Sequence, residues 1–154
     1  MAKSRRKAFI AHKFTGFINN SGQVDNRIVQ RIISVESLLH ENGYETSNPM
    51  RREEWGKDLL PSDISTPMYL EGIKESDLVV AFPYDSGSVH IELGWATVLH
   101  KPVILLLDKK CSFSPLVHGL RKIAPVKVVE YANEDEIVRK LDKALKEIEL
   151  RSSS

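Results

Sequence analysis

Cysteine is almost absent from this chain of 154 residues, since Cys111 is the only one. A disulfide framework is therefore excluded, and a reducing, cytoplasmic location is expected. No apolar run is long enough to cross a membrane or to form the core of a secretory signal. The net charge is only +1, so neither nucleic acid nor a membrane is favoured as a partner. With 42% hydrophobic residues, we expect one domain over 1–154, with flexible tails at 1–7 and 151–154.

Several motifs that would identify a common enzyme class are also missing. The sequence contains no G-x-x-x-x-G-K-[ST], no G-x-G-x-x-G and no G-x-S-x-G, which argues against the P-loop, dinucleotide-binding and nucleophile-elbow enzymes. The five histidines are not spaced as close metal ligands, and no metal site is predicted.

The apolar pattern predicts about five strands that alternate with helices. Such an order is typical of an α/β fold with a doubly wound, flavodoxin- or Rossmann-like five-stranded parallel sheet and helices on both faces. The strands are predicted at 8–12, 44–48, 77–82, 101–108 and 126–131. The helices are predicted at 24–42, 68–76, 89–99 and 116–123 and after Asn133, and residues 58–67, with two prolines, are predicted as a loop with short helical turns.

The segment 85–96 carries the strongest functional signal. The turn residues from Asp85 to Ser88 precede a helix, and they leave backbone N–H groups free at its start, where an anion can bind. The helix over 89–99 is apolar nearly all round, and Glu92 is its sole carboxylate. A buried carboxylate must be paired, raised in pKa or turned into a cleft. The alternative is a surface glutamate that complements the helix dipole.

Two other segments lie where parallel strands end, which is where open α/β sheets bind ligands. The first is His12-Lys-Phe-Thr-Gly16, where Phe14 either stacks on a base or belongs to the core, and Lys13 or Thr15 could bind an anion. In the second, Arg51-Arg-Glu-Glu-Trp-Gly56, the arginines could hold a phosphate while the tryptophan walls off a base. The same block also fits a solvated helix start with internal ion pairs.

Three blocks together resemble a known superfamily. They are Asp77-Leu-Val-Val-Ala, then Ser86-Gly-Ser-x-x-x-Glu92-x-Gly94-x-Ala96, then Lys101-Pro-Val-Ile-Leu. The pattern resembles the nucleoside 2-deoxyribosyltransferase-like superfamily. With Arg51-Arg-Glu-x-Trp-Gly56 added, it is most similar to the cytidine 5′-monophosphate (CMP) N-glycosidases of the mildiomycin and blasticidin S pathways, and it covers the chain from about Phe9 to the last helix.

The resemblance implies a set of site residues. Glu92 matches the catalytic glutamate that attacks or stabilises the anomeric carbon, and Ser86, Gly87 and Ser88 match the loop that faces the phosphate. Phe14 falls in the segment that contacts the base. Arg51 is a further candidate for substrate binding.

One position departs from the family pattern. Eight residues before Asp77, where the family usually carries an aspartate that assists the chemistry, this chain has Tyr69. Tyr69 is a candidate to hydrogen-bond the base or the ribose. Glu71, Asp63 and Asp85 are candidates to replace the aspartate.

These observations predict a nucleotide-processing enzyme. The expected reaction is hydrolysis of the C1′–N bond of CMP or a modified CMP, without a metal or an organic cofactor, in a homodimer or larger homo-oligomer with the site near the subunit interface. Two alternatives stay open. One is base exchange between deoxynucleosides, and the other is a nucleotide-binding protein that has lost turnover because of Tyr69.

Overall fold

The fold is a single parallel sheet flanked by helices, seen here in a computed structural model that describes residues 4–13 and 16–152. The strands are β1 (Arg6–His12), β2 (Tyr44–Ser47), β3 (Leu78–Phe82), β4 (Val103–Asp108) and β5 (Val126–Tyr131). The helices are α1 (Asn26–Glu41), α2 (Pro49–Arg52), α3 (Ser62–Lys74), α4 (Gly87–Val98), α5 (Pro115–Gly119) and α6 (Glu134–Ser152). Short 3-10 turns occupy Glu54–Gly56 and Leu120–Lys122.

The strand order is β2-β1-β3-β4-β5 and every pairing is parallel. The predicted α/β class and its flavodoxin-like doubly wound sheet are confirmed. The order reverses between β1 and β3, so the carboxyl ends of these two strands border the crevice in which such sheets bind ligands.

Two apolar layers cover the two faces of the sheet, because successive side chains of each strand point to opposite sides. In β1, Ala8 and Ile10 belong to the layer under α1 and α6, whereas Phe9 and Ala11 belong to the layer under α3, α4 and α5. Both faces of the three inner strands are thus buried, which explains their continuous apolar runs.

The element boundaries follow local signals. Asp25 accepts a hydrogen bond from the Arg27 N–H at the start of α1, and Gly43 adopts a positive φ of 87° where the chain leaves that helix. Asn133 accepts from the Glu136 N–H at 3.1 Å and begins α6, as predicted. The segments expected as tails overlap two elements, because β1 begins at Arg6 and α6 ends at Ser152.

The predicted loop over 58–67 is partly wrong. The α3 helix begins at Ser62 and passes through Pro67, so helical structure starts six residues before the predicted Met68. Pro67 lies near the helix start, where it removes a single backbone hydrogen bond and its side chain is exposed to solvent. No helix in the described part of the chain is long and apolar enough to cross a membrane.

Candidate active site

The α4 helix places a carboxylate inside the protein. It is apolar on nearly every side, and it packs on the sheet through Val89, Leu93 and Ala96. Glu92 lies on the same helix and is 5% exposed. Within residues 4–13 and 16–152 its carboxyl group makes no hydrogen bond or ion pair. Burial therefore raises the pKa of Glu92 from its ordinary value of 4.5 to about 8.

A small cavity faces this carboxyl group. Its volume is about 10 Å³, which is close to the room that one water molecule needs. It lies beside the carboxyl end of β1, as the topology predicts. The lining residues are Ile10, His12, Pro49, Met50, Tyr69 and Glu92.

Tyr69 reaches the cavity from α3, which packs against α4. Its hydroxyl donates a hydrogen bond of 2.8 Å to Glu53 Oε2, and its ring packs edge-to-face with the Phe9 ring, with 6.5 Å between the two ring centres. The Arg52 guanidinium lies 5.7 Å from the same ring centre. Burial, together with the bond to Glu53, raises the pKa of Tyr69 far above its usual range, so its phenol is neutral.

Glu53 is a second buried carboxylate of this region. It is 3% exposed, and its Oε1 atom accepts the Leu60 N–H at 3.3 Å while Oε2 accepts the Tyr69 hydroxyl. The candidates for the missing family aspartate lie elsewhere. Glu71 and Asp63 are exposed, and Asp85 bonds to Lys13 at 2.5 Å.

His12 closes the cavity on the side of β1. Its Nδ1 lies 3.0 Å from the Lys13 carbonyl oxygen, and its Nε2 lies 3.4 Å from Nη1 of Arg31. Burial and the neighbouring guanidinium lower the pKa of His12 to about 3, so this ring is neutral at physiological pH. Arg31 is held by Glu134 and by the Tyr84 hydroxyl.

The start of α4 has the features of an anion site. Ser86 caps the helix by accepting the Val89 N–H at 3.4 Å. Gly87 and Ser88 are exposed, and open space surrounds the position that a Cβ of Gly87 would occupy. Lys13 lies next to this turn through its bond to Asp85. Backbone N–H groups, a hydroxyl and a cation therefore meet at one helix start.

Arg51 is held in another place. Its Nη2 bonds to Glu36 Oε1 at 2.9 Å, and its guanidinium lies 5.2 Å from the Trp55 ring centre. Arg51 does not line the cavity next to Glu92. Its partner comes from α1 and not from the acidic residues of its own block. Phe14, which was predicted to contact the base, lies outside the described residues, as does Thr15.

The structure thus brings Glu92 and Tyr69 together at one cavity and places Ser86, Gly87 and Ser88 at the start of the helix that carries Glu92. The sequence prediction gave no role to Glu53 or to His12. His12 is the last residue of a predicted strand, and Glu53 lies in a charged block that resembles a solvated surface. A glutamate in such a block gives no sequence signal of burial.

Comparison with known proteins finds similar solved structures. No sequence-family profile and no curated protein sequence matches the chain. The chain is similar to the solved structure of the Clostridium botulinum CMP N-glycosidase BcmB, with 29% identity, a TM-score of 0.68, and coverage of 89% of this chain and 99% of that one. It is also similar to the solution structure of BlsM, with 27% identity, a TM-score of 0.79, and coverage of 97% and 95%.

A conserved Enterococcus faecalis protein shares the fold at 15% identity, with a TM-score of 0.66 over 92% of this chain and 99% of that one. The two more similar structures match nearly the whole chain. They confirm the resemblance that the sequence motifs predicted: this chain is similar to the CMP N-glycosidases of the nucleoside 2-deoxyribosyltransferase-like superfamily.

Proposed function

We propose that the protein is an N-glycosidase that hydrolyses the C1′–N bond of a pyrimidine nucleoside 5′-monophosphate, CMP or a modified CMP. The observation that carries the proposal is Glu92, a carboxyl group that is buried without a partner on an apolar helix and faces a cavity. The similarity to a CMP N-glycosidase supports the choice of bond and substrate.

The chemistry follows from the position of Glu92. When the C1′–N bond breaks, its electron pair leaves with the base, and positive charge develops on C1′ and the ring oxygen of the ribose. An ionised Glu92 stabilises that charge or captures C1′ as an ester. Water then supplies the hydroxyl group that ends on C1′ and the proton that the base acquires. The products are free pyrimidine and ribose 5-phosphate.

The phosphate provides binding energy away from the reacting carbon. We assign it to the start of α4, where it would accept from the N–H groups of Gly87 and Ser88 and from the Ser86 hydroxyl, with Lys13 as a neighbouring cation. Arg51 is a further candidate, and it would have to exchange Glu36 for the phosphate. Phe14 remains the candidate for base contact.

The proposal includes a cytoplasmic location and a homodimer or larger homo-oligomer with the site near the subunit interface. The single cysteine supports the first, and the family resemblance supports the second. Analytical ultracentrifugation of the purified chain tests the oligomer, and a monomer at all concentrations would contradict it.

The activity is tested with a panel of CMP, UMP, dCMP and cytidine, with free base measured by chromatography. We expect cytosine from CMP, and a loss of at least about 100-fold in Glu92→Gln, since such a change removes a group that acts in the transition state. Glu71→Gln is the matched control, because Glu71 is an exposed carboxylate paired with Lys74 on α3.

Three results would contradict the proposal. If all four compounds stay intact with ample enzyme, it is wrong. Formation of deoxyadenosine from deoxycytidine and adenine would establish base exchange in its place. Tight calorimetric binding of CMP without cleavage would establish a binding protein.

A further inference from the structure

The hydrogen bond between Tyr69 and Glu53 gives the active-site phenol a fixed direction. The hydroxyl group of Tyr69 has one proton, and that proton is donated to Glu53 Oε2 at 2.8 Å. The lone pairs of the phenol oxygen are therefore the part that remains for a ligand. Glu53 cannot turn away easily, because its Oε1 atom accepts the Leu60 N–H and its side chain is 3% exposed.

The ring of Tyr69 is held as well as its hydroxyl. The centre of the Phe9 ring lies 6.5 Å from the centre of the Tyr69 ring, the Arg52 guanidinium lies 5.7 Å from the same centre, and Phe9 itself is completely buried. Tyr69 and Glu92 line the same cavity, whose volume is about that of one water molecule. A ligand atom placed in this cavity therefore has both side chains in its wall.

The properties of Tyr69 argue against a role as proton donor. Burial and Glu53 raise its pKa well above the ordinary value of about 10, so it gives up a proton less readily than a free tyrosine does. Tyr69, whose proton is donated to Glu53, offers its oxygen as an acceptor.

We propose that Glu53 is a positioning residue that holds Tyr69 as a hydrogen-bond acceptor for the ribose 2′-hydroxyl, and that this pair makes the enzyme prefer ribonucleotides over 2′-deoxyribonucleotides. The inference rests on the proposed function, since it assumes that C1′ sits at Glu92. The 2′-hydroxyl is on the carbon next to C1′. Among the hydroxyl groups of the sugar it is therefore the one that comes nearest to Tyr69, the neighbour of Glu92 in the cavity.

The test compares kcat/KM for CMP and dCMP in the wild type, Tyr69→Phe, Glu53→Gln and the double variant. We expect the wild type to prefer CMP, and Tyr69→Phe to reduce that preference by about 2- to 13-fold, which is the range for one net hydrogen bond. Glu53→Gln should reduce the preference too, and it should have no further effect in the Tyr69→Phe background.

Tyr44→Phe is the matched control for removal of a tyrosine hydroxyl. Tyr44 begins β2, at the end of the sheet opposite the site, and Arg6 packs on its ring. It should leave the CMP to dCMP ratio unchanged. If the role of Glu53 is merely structural, Glu53→Gln lowers kcat/KM for CMP and for dCMP by the same factor and leaves their ratio unchanged.

The outcomes separate the two proposals. If CMP is cleaved but the ratio is the same in Tyr69→Phe, the inference is wrong and the proposed function stands. If nothing is cleaved, calorimetric binding of CMP and dCMP to the same variants measures the same preference. A change in the ratio of the CMP and dCMP dissociation constants in Tyr69→Phe then supports Tyr69 as the acceptor, although no cleavage occurs. An unchanged ratio, or no binding of either nucleotide, overturns the inference.

Discussion

The burial of Glu92 should make the protein less stable as the pH rises. The pKa of Glu92 is raised from 4.5 to about 8 because the carboxyl group is buried without a partner. Between these values the unfolded chain releases a proton that the folded chain keeps, so the free energy of unfolding falls as pH increases. Below about pH 4.5 the effect is absent, and above about pH 8 it is complete.

The size of the effect follows from the shift. One pKa unit corresponds to about 1.4 kcal/mol, so a change from pH 5 to pH 9 should cost the wild type about 4 kcal/mol through Glu92 alone. Glu92→Gln cannot ionise and escapes this cost. We therefore expect the variant to gain about 4 kcal/mol relative to the wild type between pH 5 and pH 9.

Urea unfolding of both proteins at each pH measures this difference. The difference between the two proteins at each pH cancels the contributions of other titrating groups. One of these is His12, whose pKa of about 3 in the folded chain makes the free energy of unfolding rise with pH up to the pKa of 6.5 in the unfolded chain. Glu71→Gln, an exposed carboxylate paired with Lys74, is the control and should show no pH-dependent gain. A gain for Glu92→Gln below about 1 kcal/mol would refute the claim that Glu92 lacks a compensating partner.

Three further changes have predictable results. The kcat/KM of CMP cleavage should rise with pH through about 8, because the ionised form of Glu92 is needed in the free enzyme, and a flat profile would contradict this. Ser86→Ala removes the acceptor of the Val89 N–H and should lower the free energy of unfolding by about 1 kcal/mol while raising KM for CMP more than for cytidine. Gly72→Ala would place a Cβ 3.0 Å from the buried Phe9 ring, so a loss of about 1–3 kcal/mol in urea unfolding is expected, and unchanged stability would contradict it.

The sequence was sufficient for the fold because its signals are local and repeated. The run over 78–82 is buried on both faces in β3, and the carboxylate of Glu92 stands out on α4 because its neighbours are apolar. The helix was predicted from Val89, and it begins two residues earlier, at Gly87, with Ser86 as its cap.

The positions that sequence reasoning missed depend on contacts between distant segments. Glu53 is buried and accepts a hydrogen bond from Tyr69, which lies 16 residues later on α3. Arg51 forms an ion pair with Glu36 of α1, whereas the sequence predicted a phosphate as its partner. No pattern within the block of Arg51 indicates this contact. Pro67 was interpreted as a breaker, yet it is tolerated near the start of a helix whose later residues pack on the sheet.

The narrowness of the cavity next to Glu92 has a consequence for the order of events in catalysis. A space of about 10 Å³ accepts a water molecule but not a pentose, so the sugar must displace part of the wall before C1′ can approach the carboxyl group. Among the described wall residues, Met50 has the unbranched, adaptable side chain that yields most easily. Association should then be slower than simple encounter.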